Sequence, residues 1–149
     1  MPEFSFSARS IKNLDKVHPD LQELAHRALQ WTRVDFAIIS GLRTKEEQNA
    51  LVANGKSKDP NSKHLHGLAI DFAAIDPATG KAGWDRALMM EVGCAFYHAA
   101  VERGTRMLWG GMWTGFEDCP HIELIDPRRW DGRQWTGIEW KLLTDGEAA

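Results

Sequence analysis

The stretch Ser62-Lys63-His64-Leu65-His66-Gly67-Leu68-Ala69-Ile70-Asp71 sets two imidazoles and a carboxylate around a glycine, where loop composition gives way to strand patterning. Just upstream, Asp59, Pro60, Asn61 and Ser62 are turn formers, so residues 56–63 read as a loop. From Leu68 the pattern alternates: Leu68, Ile70 and Phe72 point to one face of a strand, Ala69 and Asp71 to the other. A carboxylate beside so small a neighbour leaves room for something bound. Downstream, Glu117-Asp118-Cys119-Pro120-His121-Ile122-Glu123 gathers the same side-chain types, and His121 to Ile125 reads as a final strand with His121 and Glu123 on one face. The rest of the chain reads as scaffold for joining these two knots.

Working outward, residues 10–17 suggest a turn or short helix, and His18-Pro19 opens a helix whose Leu21, Leu24, Ala25, Ala28 and Leu29 recur at three-and-four spacing. Val34 to Ser40 is a short β-rich run ending in a Gly41-Leu42-Arg43 turn. Thr44 and Glu47 form a capping box for a helix running to about Asn54, with Gly55 as its left-handed stop. Residues 76–80 form a turn. Trp84 to Arg103 is the longest helical pattern, with Leu88, Val92, Ala95 and Ala99 on its stripe, Met89 and Phe96 beside it and Gly104 as its stop; Met107 to Trp109 reads as a strand. After Asp126, Trp130, Trp135 and Trp140 suggest packing anchors for an irregular tail, with a disordered end at residues 146–149.

A chain of 149 residues supports one domain, with a core over about 10–125 and a tryptophan-rich extension at 126–149. Hydrophobic residues at 43% and charged residues at 26% are globular averages, which excludes disordered and membrane-spanning classes. A net charge of −3 without a basic stripe argues against a nucleic-acid partner. Cys94 and Cys119 lie outside any CxxC spacing, so neither a disulfide framework nor a cysteine zinc knuckle is expected. The amino terminus has no basic segment followed by an apolar run, so no secretory signal and no membrane insertion are expected.

Zinc takes imidazole nitrogen and carboxylate oxygen, and a catalytic site uses three such ligands with a fourth position for water. His64, Asp71 and His121 supply that set for one ion, with Gly67 letting the chain turn between the first two. A carboxylate must also take the water's proton. Asp118 is the best placed; Glu117 and Glu123 are weaker candidates, and capping a turn is the plain alternative for Asp118. Arg43 could hold a substrate carboxylate or a developing oxyanion, or serve as a surface ion-pair partner. Ser62 either binds substrate or shapes the loop. His66 would crowd the ion, and His18, His26 and His98 are explained by a helix start and helix faces.

Ser62-x-His64-x-x-Gly67-x-Ala69-x-Asp71 followed by Asp118-x-x-His121 resembles the zinc signature of peptidase family M15, which groups D-Ala-D-Ala carboxypeptidases with phage endolysins. Gly41-Leu42-Arg43-Thr44-x-x-x-Gln48 is similar to that family's arginine region. The resemblance runs from about Ser10 to Glu123 and is strongest to short phage L-alanyl-D-glutamate endopeptidases. It implies a hedgehog/DD-peptidase-like α+β domain, helices packed on a small, mainly antiparallel sheet. It implies zinc on His64, Asp71 and His121, Asp118 as base, and Arg43, Ser62 and Gln48 toward the substrate.

The implied function is a monomeric phage endolysin that cuts the L-alanyl-D-glutamate bond of peptidoglycan stems. It would be made in the host cytoplasm and reach the wall through a pore made by a holin. Cys119-Pro120 and His66 are departures from the motif. The rivals are a D,D-carboxypeptidase or dipeptidase with the same site, a non-catalytic zinc-binding module, and a cysteine hydrolase using Cys119 with His64 or His121.

Overall fold

This computed structural model describes residues 3–57, 62–113 and 117–125, together with the backbone of residues 128–130 and 135–139. Helix α1 (Ala8–Leu14) is capped by the Ser7 hydroxyl, which accepts from Ser10 N. Helix α2 (Pro19–Trp31) has proline in its first turn and the His18 ring as cap, accepting from Asp20 N. Its buried residues are Leu21, Leu24, Ala25, Ala28 and Leu29, the stripe its spacing predicts. Helix α3 (Lys45–Ala53) opens on the expected capping box between Thr44 and Glu47. Helix α4 (Arg86–Arg103) begins later than the sequence pattern suggests, because the Asp85 carboxylate accepts from Leu88 N as its cap. Trp84 therefore stays outside the helix, 62% exposed. Val92, Ala95 and Ala99 of the expected stripe are buried, with Met89 and Phe96 beside them, while Leu88 is only half-buried.

Strands β1 (Phe36–Ser40), β2 (Ala69–Ile75), β3 (Ala82–Gly83), β4 (Met107–Trp109) and β5 (His121–Leu124) form one five-stranded sheet. Its order is β1-β2-β5-β4 with β3 on β2, and every pairing is antiparallel. Alternation sends Ile70, Phe72 and Ala74 into the hydrophobic cluster shared with α2 and α4. At its centre the Phe96 ring lies 5.3 Å from Phe36 and 5.5 Å from Phe72. Truncating so buried a ring to alanine costs about 3–5 kcal/mol. Outside the cluster, Arg27 of α2 pairs with Glu102 of α4, which also accepts from Trp31 Nε1 at 2.6 Å.

Edge strands expose unpaired backbone groups, and α1 covers that of β1. Ser10 Oγ accepts from Ile38 N at 3.0 Å, and Asn13 Nδ2 donates to Ile38 O at 2.7 Å. The result is the α+β architecture implied by the sequence resemblance. One expectation changes: instead of an irregular tail, strands β6 (Arg128–Trp130) and β7 (Trp135–Glu139) pair antiparallel as a separate sheet. Asp131-Gly132 between them in sequence is a hairpin signal that tryptophan spacing masks. The packing expected of Trp130, Trp135 and Trp140, and the expected disorder of residues 146–149, lie outside the described residues.

Candidate metal centre

Register brings the two motifs together. Asp71 of β2 is paired directly with His121 of β5, so their side chains leave the sheet on the same face. On the other edge of β2, the register slips between Ile38 and Ser40, and Ser40 comes opposite Asp71. Such a bulge bends a strand and re-aims its side chains. His64 arrives from a single 3-10 turn, Lys63–His66, rather than from an open loop. Ser62 Oγ accepts from His64 N at its start, and Gly67 ends it at φ 68. The turn is docked on the connection before α2: Gly67 O accepts from His18 N at 2.9 Å, and a Cβ on Gly67 would lie 3.0 Å from Lys16 O. An L residue there would be both strained and crowded.

The ring nitrogens are sorted by their outer partners. His64 Nδ1 bonds Gly41 O at 2.8 Å, which turns Nε2 inward; that nitrogen is buried and makes no hydrogen bond. His121 Nε2 bonds Glu123 Oε1 at 2.9 Å, which turns Nδ1 inward. His64 Nε2 then lies 3.3 Å, and His121 Nδ1 3.4 Å, from the same Asp71 oxygen, Oδ1. With bonds of about 2.0–2.1 Å, two ligands on a tetrahedral zinc stand roughly 3.3 Å apart. The described residues therefore fit a metal ion, and this trio forms the one such group found among them.

Electrostatics favour a cation at this point. Burial alone raises the Asp71 carboxyl, but His121 and His64 outweigh it and hold the group well below the usual carboxylate range. Burial alone lowers the His121 ring, yet Asp71 and Glu123 push it up to about 9. The same negative surroundings that favour a proton on the ring favour a metal cation, which must displace that proton to bind. Glu123 is lowered by His121 and by its ion pair with Lys63, against the effect of burial.

Asp118 Oδ2 lies 4.0 Å from His121 Nδ1, beside the inward-facing nitrogen. Burial raises its carboxyl above the ordinary value, and the nearby His121 charge draws it partly back. Its turn is held at both ends: Asp118 N donates to Gly110 O at 2.9 Å, and Trp109 Nε1 donates to Cys119 O at 2.7 Å. A Cβ on Gly110 would lie 2.2 Å from Asp118 O, so this approach needs glycine. The Trp113 ring covers His121 with centroids 5.2 Å apart. Cys119 is not poised as a nucleophile. Burial and its bond to Glu117 push the thiol up to about 11.

Arg43, expected to face the substrate, spends three of its five N–H donors on the protein: Nε on Ser40 Oγ, Nη1 on Gln48 Oε1 and Nη2 on Asp71 Oδ2. Gln48 is 0% exposed and donates to Ser57 Oγ, so the direct substrate contact expected of it gives way to holding Arg43. The Ser62 hydroxyl is the cap of the His64 turn. Glu117 is drawn to Arg86, away from the trio. His66 stays outside the trio, half-buried, with burial lowering its pKa. Two features were not read from the sequence: Lys63 as partner of Glu123, and the Gly41 carbonyl behind His64. The adjacency of Lys63 to a ligand was a usable signal for the first; a backbone carbonyl leaves none.

Two imidazoles, a carboxylate and a second carboxylate beside an open position are what hydrolytic metalloenzymes use. A family model described as phage L-alanyl-D-glutamate peptidase matches residues 2–125, and the chain belongs to that family. The L-alanyl-D-glutamate peptidase of Escherichia phage T5 is 38% identical over 137 residues, covering 82% of this chain and 98% of that protein. The peptidoglycan L-alanyl-D-glutamate endopeptidase CwlK of Bacillus subtilis is 34% identical over 108 residues, covering 62% of each chain. The crystal structure of the Serratia marcescens L-Ala D-Glu endopeptidase ChiX matches with a TM-score of 0.76 at 38% identity, covering 83% of this chain and 91% of that one.

Proposed function

We propose that this chain is a zinc-dependent endopeptidase that hydrolyses the L-alanyl-D-glutamate bond in the peptide stems of peptidoglycan. The observation that carries this reading is the convergence of His64 Nε2, His121 Nδ1 and Asp71 Oδ1 beside Asp118, in a member of a family so described. Zinc bound there would polarise the scissile carbonyl and lower the pKa of its water from 15.7 to about 7. Asp118 takes the proton from the attacking water and returns it to the departing D-glutamate amine. Arg43 fixes Asp71 and keeps two N–H groups that could donate to the oxygen on which charge develops. Trp113 packs its ring against His121 and lines the same cleft as the trio, where it offers an apolar wall to the substrate.

Ligands, base and Arg43 all come from one chain, which supports a monomer. The setting we infer is phage lysis, with synthesis in the host cytoplasm and access to the wall through a holin pore. None of the helices in the described residues is long and apolar enough to cross a membrane, so the pore must come from another protein in this reading.

The test is mass spectrometry of fragments released from purified peptidoglycan. Products should end in L-alanine and begin with D-glutamate, vanish with chelator and return with zinc. Free D-alanine from otherwise intact stems would assign a D,D-carboxypeptidase instead. An Asp118→Asn variant that binds zinc and lyses walls at the wild-type rate would remove Asp118 from the chemistry.

A further inference from the structure

Helix α3 has an unusual packing surface: its one buried residue is a glutamine. An amphipathic helix ordinarily docks through apolar side chains. Gln48 instead bonds Arg43 Nη1 at 3.0 Å through Oε1 and Ser57 Oγ at 2.9 Å through Nε2. The helix thereby ties the guanidinium on Asp71 to the chain that follows its own carboxyl end. That end is a Schellman turn: Gly55 stands at φ 72, Gly55 N donates to Val52 O at 3.1 Å and Lys56 N to Leu51 O at 2.9 Å. The backbone of Lys56 is thus fixed relative to Arg43 and to the metal trio.

Lys56 lines the same cleft of about 650 Å³ as His64, Asp71, Asp118 and His121. The two other cations there are committed to the protein, Arg43 to Asp71 and Lys63 to Glu123. Lys56 is exposed and enters no ion pair among the described residues. A glutamate residue has two carboxyl groups, and a linear stem can continue through only one. The other remains an anion next to the departing amine unless it is amidated. An unpaired cation in the cleft favours that anion over the neutral amide that amidation puts in its place.

We infer that Lys56 is a specificity-determining residue that recognises the free carboxylate of the D-glutamate residue on the leaving side of the cut. This deepens the endopeptidase reading and rests on it. The enzyme then prefers stems with a free glutamate carboxylate over stems carrying the amide in its place.

The experiment compares kcat/KM for two matched muropeptides, identical except that the glutamate carboxylate is free in one and amidated in the other. Wild type should favour the free form by about tenfold or more, the scale of one hydrogen bond to a charged group. Lys56→Gln should bring the ratio near one, mainly by raising KM for the free form, and Lys56→Arg should keep the preference. Lys56 is exposed, so these variants should fold and load zinc as wild type does. A ratio unchanged in Lys56→Gln, or a wild type indifferent to amidation, overturns the inference while leaving the endopeptidase reading intact. Failure of wild type to cut either muropeptide overturns that reading and this inference with it.

Discussion

Arg43 Nη2 lies 2.7 Å from Asp71 Oδ2, while Oδ1 of the same carboxylate faces His64 at 3.3 Å and His121 at 3.4 Å. One carboxylate therefore divides its oxygens between a guanidinium and the inward-facing imidazoles. The two side chains are only 15% and 16% exposed, so little water is available to take the place of either partner. Removing one member of such a pair leaves an uncompensated charge, which costs far more than losing a surface contact.

Arg43→Met should therefore weaken zinc binding by roughly 10–100-fold, the usual effect of losing an outer partner of a metal ligand. Arg43→Lys should recover little, because an ammonium cannot bond Ser40, Gln48 and Asp71 together as a planar fork does. Competition with a chromophoric chelator measures both. Wild-type zinc affinity in Arg43→Met would confine Arg43 to the substrate.

Glu123 plays the matching part behind His121. It bonds Nε2 and is itself paired with Lys63, so it fixes the ring with Nδ1 inward. Glu123→Gln keeps the shape and loses the charge. Zinc affinity should fall by about tenfold, and the apo-protein should melt modestly lower because Lys63 and His121 lose a shared, largely buried carboxylate. A large drop in melting temperature with unchanged affinity would make Glu123 a structural group instead.

The base has its own support. A Cβ on Gly110 would meet Asp118 O at 2.2 Å, a backbone atom that cannot swing aside like a flexible side chain. Gly110→Ala should displace the Asp118 turn at a cost of about 1–3 kcal/mol of stability. His64 and Asp71 lie elsewhere in the chain, but His121 N donates to that same Asp118 O at 3.1 Å, so zinc should bind somewhat more weakly while kcat falls further. Equal loss of zinc affinity and kcat would show that the turn and the ligands move as one.

Most of this was legible where the signal is local. The stripe of α2, the Thr44–Glu47 box and the strand of Asp71 follow from spacing and capping, because side-chain periodicity is fixed by the element itself. The pairing of Asp71 with His121 is different, since register depends on how β2 and β5 meet in the folded sheet. The family-like motif anticipated that the two residues meet, but not the strand pairing that brings them together, and periodicity alone contains no information about it. Gln48 marks the limit: the family resemblance placed it toward the substrate, and only the positions of Arg43 and Ser57 make it a buried link.

Away from the cleft, Asp35 provides a test of pH dependence. Burial raises its carboxyl above the ordinary value, and the Phe36 N–H it accepts at 2.8 Å draws it only partly back. The folded state thus holds this proton more tightly than the unfolded chain does. Stability must fall as pH rises from the unfolded value, about 3.9, through the folded one, and the penalty is fully present at neutral pH. Asp35→Asn keeps the carbonyl that accepts from Phe36 N and removes the charge. At pH 7 the variant should be the more stable, by no more than about 0.5 kcal/mol because partial exposure screens the group. The difference should close by about pH 3, where both side chains are neutral. Urea unfolding of both proteins at the two pH values, with chelator present throughout, reads the difference directly. A variant less stable than wild type at pH 7 would mean that the ionised Asp35 carboxylate stabilises the fold.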